Sequence, residues 1–96
     1  MLEQFVAENP TDSFARYGLA LEYINGGDTD RGLATFDALL EQNPDYTAAY
    51  QMAAQTLLKL GRNDEGRTML ERGIASAMRT GNAHAQREME GLLDTV

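Results

Sequence analysis

The stretch Asn25-Gly26-Gly27-Asp28-Thr29-Asp30-Arg31-Gly32 is answered, 34 residues on, by Lys59-Leu60-Gly61-Arg62-Asn63-Asp64-Glu65-Gly66. Gly27 falls on Gly61, Asp30 on Asp64 and Gly32 on Gly66. Working outward at the same offset, Asn9-Pro10 falls on Asn43-Pro44, Ala15 on Ala49 and Ala20 on Ala54. Similar pairs extend the match: Phe5 with Leu39, Val6 with Leu40, Leu19 with Ala53, and Phe36 with Leu70. A period in this range marks a chain built by stacking one supersecondary unit on the next.

Each period reads as two helical halves with a turn signal between them and another at the end. The first runs from Asp12-Ser13-Phe14 to Asn25, breaks at Gly26-Gly27-Asp28, and resumes from Thr29 to Gln42. Glycine supplies the backbone freedom of a helix end, and Asp28 is expected to offer its carboxylate to the open amides of the next helix. Pro44 lacks an N–H and keeps Asn43 out of helical dihedrals, so the helix stops there. The second period predicts a helix over about Asp45–Leu60, a turn at Gly61-Arg62-Asn63, and a helix from Asp64 towards Thr80. Apolar residues recur at steps of three and four, as in Leu33, Phe36, Leu39, Leu40 and again in Met69, Leu70, Ile74, Met78, which is a helical core stripe. The recurrence of Gly32 and Gly66 inside helices, where glycine costs about 0.5–1 kcal/mol relative to alanine, points to tight helix packing there; Gly73 belongs with them.

These residues resemble the tetratricopeptide repeat (TPR). The first unit carries the family pattern through Leu19, Ala20, Tyr23, Gly27-Asp28, Gly32, Phe36, Leu39 and Pro44. The second carries it through Tyr50, Ala53, Ala54, Leu57, Gly61, Gly66, Leu70 and Gly73. Arg16 stands where the family has a large residue, and Met78 stands where the terminal proline would be, so the last helix is expected to run on to Gly81-Asn82. The resemblance implies an all-α fold, a right-handed α–α superhelix of antiparallel pairs with about six helices in a single domain. Its expected parts are a leader half-repeat (1–10), repeat one (13–46), repeat two (47–80) and a capping helix (82–96) with Ala85, Met89, Leu92 and Val96 on one face.

Composition narrows the function. The 96 residues contain no cysteine, so neither disulfides nor thiolate metal sites can form, and one core must hold the chain by packing. No stretch approaches the roughly 20 apolar residues of a membrane span and the first residues show no basic leader, so the default expectation is a soluble, cytoplasmic protein. The formal net charge is −7, with nine acids against Arg16 and Arg31 between Met1 and Asp45, and six against six thereafter. Such an acidic first half argues against nucleic acid and anionic membranes and fits a partner with basic flanks.

No chemistry is legible. His84 is the single histidine and has no companion for a transition-metal site. Ser13 and Ser76 lack a nucleophile-elbow context. Gly26-Gly27 lacks phosphate-loop spacing. Asp28, Asp30, Asp64 and Glu65 sit at helix starts, where acids complement the helix dipole, and none follows calcium-loop spacing. The reading is no enzyme and no cofactor.

The resemblance implies instead a protein-binding or scaffold module that holds a peptide in the groove lined by the first helix of each pair. Carried onto this chain, the groove residues are Phe14, Tyr17, Leu21, Ile24 and Asn25 from the first unit and Gln51, Gln55 and Lys59 from the second, with Ala48 and Leu58 beside them. The first helix is apolar nearly all round: Phe14, Tyr17, Leu21 and Ile24 form one stripe, and Ala15, Leu19, Ala20 and Tyr23 another. Either the leader covers part of this surface through Leu2, Phe5 and Val6, or it is offered to a partner peptide or a second copy of the chain. Self-assembly as a homodimer, through Phe14 and Tyr17 or through the cap around Met89 and Leu92, is the alternative function. The carboxylate clamp by which some TPR co-chaperones hold a chaperone C-terminus needs Lys, Asn and Arg. Here those places carry Tyr17, Leu21 and Met52, or Gly18, Ala48 and Met52 one repeat on, so no such tail is expected to bind.

Overall fold

The computed structural model describes all residues from Met1 to Val96. Six helices follow in order: α1 (Leu2–Glu8), α2 (Ser13–Asn25), α3 (Thr29–Gln42), α4 (Thr47–Lys59), α5 (Asn63–Thr80) and α6 (Ala83–Leu93). There is no strand. The chain divides into two compact units, Met1–Asn43 and Pro44–Val96.

In the first unit α2 and α3 are joined by Gly26-Gly27-Asp28, a connection so short that the helices must run back alongside each other. Of the two glycines it is Gly27 that adopts the left-handed conformation, at φ 87°. Asp12 caps α2 by accepting from the Ala15 amide at 3.0 Å. Asp28 does not do the same for α3; its carboxylate turns to Arg31, 3.4 Å from Nε. The expected cap is thus replaced by an exposed ion pair. The two helices pack tightly at Gly32, where the Ile24 side chain occupies the place a β-carbon would need and the Ala20 carbonyl is 3.1 Å from it. The buried residues of α3 are Gly32, Phe36, Leu39 and Leu40.

Helix α1 lies on α2. Val6 is buried with Ala15 and Leu19, and Leu2 and Tyr23 pack against that cluster. The Tyr23 hydroxyl donates to the Glu3 carboxylate and ties the two helices at their edge. Phe5 takes no part in the cluster and is 45% exposed, so the leader covers the Ala15–Leu19–Tyr23 stripe through Leu2 and Val6 alone.

The second unit repeats the pairing. Helix α4 begins at Thr47, two residues later than the sequence suggested, because Asp45 sits in a tight turn. Its carbonyl accepts from the Thr47 amide at 2.9 Å and its carboxylate is held by Arg79 at 2.8 Å. The turn to α5 uses Gly61 at φ 75°, and Asn63 already belongs to the helix, with Arg62 at its cap position. Leu58 presses on Gly66 as Ile24 does on Gly32. Inside the pair, the Thr47 and Ser76 hydroxyls meet at 2.8 Å in a buried bond. Helix α5 runs on to Thr80 and ends at Gly81, left-handed at φ 70°, with the Asn82 amide reaching back to the Ala77 carbonyl at 2.8 Å.

Helix α6 packs chiefly on α5 through Ala85 and Met89, which are buried, and Leu92 is half-buried. It ends at Leu93, short of the predicted Val96, because the Thr95 hydroxyl and amide both bond the Leu92 carbonyl and tighten the chain into a turn.

Candidate functional site

The residues expected to line a groove in the first unit lie on α2, and their steps of three and four place Phe14, Tyr17, Leu21 and Ile24 along one face of it. Their environments differ. Phe14 is 75% exposed, an unusual position for a phenylalanine that no element of its own unit covers. Tyr17 is half-buried with its ring tilted 59° against Phe36 at a centroid distance of 5.9 Å. Partial burial raises the Tyr17 phenol above its ordinary 10.0 by desolvation. Leu21 is half-buried and Asn25 exposed. Ile24 has its side chain committed to Gly32, so it contributes to the helix pair first and to the surface only with its remaining edge.

In the second unit Gln51 and Gln55 are half-buried on α4, while Lys59 and Ala48 are exposed. Gln55, Leu58 and Lys59 join Leu92 of α6 around an open cleft of about 360 Å³. Gln51, one turn earlier, does not line it. The apolar spacing of α6 puts Leu92 on the capping face. The structure shows that a residue of that stripe can serve a cleft as well as a core, and sequence periodicity carries no signal that separates the two uses.

Several of the groups considered for chemistry have structural occupations. The exposed His84 stands 3.2 Å from Glu88, one turn along α6. Glu65 receives both Arg62 Nε at 2.8 Å and Nη2 at 2.6 Å, and these bonds from the guanidinium hold its carboxyl below the usual glutamate range. No group of three or more His, Cys, Asp or Glu is placed to hold a metal ion. No helix is long and apolar enough to cross a membrane.

The helix pairs meet at Gly32 and Gly66 and turn at left-handed Gly27 and Gly61. A tetratricopeptide-repeat profile matches residues 1–53 and again residues 26–87. The chain belongs to the tetratricopeptide repeat family. A TPR repeat-containing protein of Pseudomonas aeruginosa is 28% identical over 88 residues, covering 92% of this chain and 84% of its own. A solution NMR structure of a tetratricopeptide repeat domain protein from Salinibacter ruber superposes with a TM-score of 0.85 at 30% identity, covering 90% of this chain and 87% of that one. A crystal structure of a tetratricopeptide repeat domain protein from the same organism gives 0.80 at 30% identity, over 88% and 93% of the two chains. The TPR fold is typically non-catalytic and serves as a protein-interaction or scaffold module.

Proposed function

We propose that this TPR chain holds a peptide or protein partner on the exposed faces of its pair-leading helices, with Phe14, Tyr17, Leu21, Ile24 and Asn25 of α2 and Gln51, Gln55 and Lys59 of α4 as the contact residues. The observation that carries the reading is the state of α2. One of its stripes is already occupied by α1, and the other presents an aromatic side chain, Phe14, at 75% exposure next to the half-buried Tyr17 and Leu21. Aromatic side chains in such positions dominate interface energies because they bury a large rigid surface at little entropic cost. Around them the unit is acidic, with Glu22 exposed on α2 itself, which favours a partner carrying Lys or Arg beside its apolar anchor. In this reading the chain comprises a leader (1–10), two repeats (13–46 and 47–80) and a cap (82–96). It has neither catalytic centre nor cofactor.

Partner capture from cell extract by the tagged chain tests this. Phe14→Ser, at a position too exposed to matter for folding, should weaken capture, and Tyr17→Ala with Leu21→Ala should abolish it while circular dichroism still reports helix. Capture unchanged by both variants overturns the reading. The second reading, a homodimer on the same stripe, is favoured by the same exposed Phe14. Light scattering over a range of concentrations separates the two, since a dimer lost on Phe14→Ser is self-assembly.

A further inference from the structure

The first unit contains a second surface that the peptide-holding face does not use. Its floor is Val6 of α1 and Leu19 of α2, both buried, and its far wall is Ala34, Thr35 and Ala38 of α3; together they enclose an open, mostly apolar cleft of about 370 Å³. Tyr23 and two cations, Arg16 and Arg31, complete the lining. These are the only two basic residues among the first 45, against nine acids; two carboxylates touch the lining, Glu3 at the Tyr23 hydroxyl and Asp28 at Arg31, and none touches Arg16. In the most acidic part of the molecule, all the positive charge is gathered at one apolar hollow.

The repeat explains how the hollow arises. At the offset of 34 residues Arg16 corresponds to Tyr50 and Ala38 to Arg72. In the second unit those two positions are filled by a stacked pair, with the Arg72 guanidinium 5.3 Å from the centre of the Tyr50 ring. In the first unit the aromatic is replaced by Arg16 and its stacking partner by a methyl group. Arg16 keeps the anchor of its counterpart: Nη2 donates to the Pro10 carbonyl at 3.1 Å, as the Tyr50 hydroxyl donates to the Pro44 carbonyl at 2.7 Å. The guanidinium therefore stays at the rim, bonded to a neutral carbonyl rather than to a carboxylate. At the other end Arg31 lies 5.9 Å from the centre of the Tyr23 ring and is held by Asp28 at 3.4 Å, an exposed pair of the kind that exchanges readily for another carboxylate.

We infer that this cleft binds a short acidic peptide segment, two apolar side chains flanked by carboxylates. Charge complementarity selects the acids and the alanine-lined hollow selects the apolar pair. Arg16 and Tyr23, and likewise Arg31 and Ala38, are seven residues apart on their helices, so the cleft is about 10 Å long. An extended peptide rises about 3.3 Å per residue, so carboxylates three residues apart span it. The preference is opposite to that of the acid-rimmed α2 face, so the two surfaces recognise different segments.

The test uses the full ¹⁵N-labelled chain and an end-blocked Glu-Leu-Leu-Glu peptide, followed by NMR titration, with Lys-Leu-Leu-Lys as control. The acidic peptide should move the amides of Ala34, Thr35 and Ala38, and the lysine peptide should not. Arg16→Gln and Arg31→Gln should each weaken binding about fivefold, as expected for a part-exposed charged hydrogen bond. Ala38→Met, which fills the cleft and leaves every charge in place, should weaken it as well, whereas Phe14→Ser should leave it unchanged. Circular dichroism checks that each variant is folded. Equal response to both peptides, shifts confined to the Phe14–Leu21 face, or binding indifferent to the arginine and Ala38 substitutions would each overturn the proposal.

Discussion

A β-carbon added to Gly73 would stand 2.5 Å from Met89 Sδ and 2.6 Å from Tyr50 Cβ. Gly73 is therefore where three helices of the second unit converge: α5 offers no side chain, and α4 and α6 close over it. Met89 can swing aside, but the Tyr50 β-carbon is fixed to its backbone. Gly73→Ala should destabilise the protein by about 1–3 kcal/mol in urea unfolding despite alanine's better helix propensity. Gly91, in α6 with nothing within 4 Å of its missing β-carbon, is the control, and Gly91→Ala should stabilise by about 0.5–1 kcal/mol.

At Gly61 the cost is of another kind. A β-carbon there would meet nothing within 4 Å, yet φ is 75°. Gly61→Ala should cost about 1–2 kcal/mol through the left-handed backbone alone, and Gly61→Asn clearly less, because asparagine tolerates that conformation. Thermal unfolding of the two variants side by side measures the difference.

The buried Thr47–Ser76 bond is a polar link between the facing helices α4 and α5. Ser76→Ala should lower stability by about 1 kcal/mol, since the Thr47 hydroxyl loses the closer of its two partners and keeps only the Asp45 carbonyl at 3.4 Å. Thr47→Val combined with Ser76→Ala should cost less than the sum of the two single changes. Additive energies in the double-mutant cycle would show that the hydroxyls do not depend on each other.

The Tyr23 phenol is raised above its ordinary 10.0, first by its bond to Glu3 and then by desolvation. A raised folded value means that the contribution is complete below pH 10 and is lost as pH climbs through the folded pKa. Amide exchange in α1 should therefore accelerate selectively in alkaline solution. Tyr23→Phe should already show the faster α1 exchange at neutral pH, and Val6 should keep α1 docked in both cases.

Much of the fold is legible in the amino-acid sequence. The 34-residue offset placed α2 to α5 to within two residues, because glycine and proline end helices by local sterics that need no tertiary partner, whereas the cap, outside the repeat, ends three residues short of Val96. Gly32 and Gly66 announced close packing because a glycine in a helix interior is costly unless a neighbour needs the space. The run-on of α5 to Gly81 was equally local. Asp28 was misjudged as a cap because a carboxylate at a helix start can choose between backbone amides and a nearby cation, and here Arg31, one turn on, takes it.

The sequence by itself determined the repeat, its six helices and the acidic character of the first half, since periodicity, turn chemistry and charge are properties of the chain. Tertiary structure decided which apolar residues are spent on the core. It set Val6 against Leu19 while leaving Phe5 and Phe14 in solvent, lent Leu92 to a cleft, and brought Arg16 and Arg31 to one hollow. Two residues with the same hydropathy and the same helical phase differ only in what another element places over them, and that is decided by packing in three dimensions.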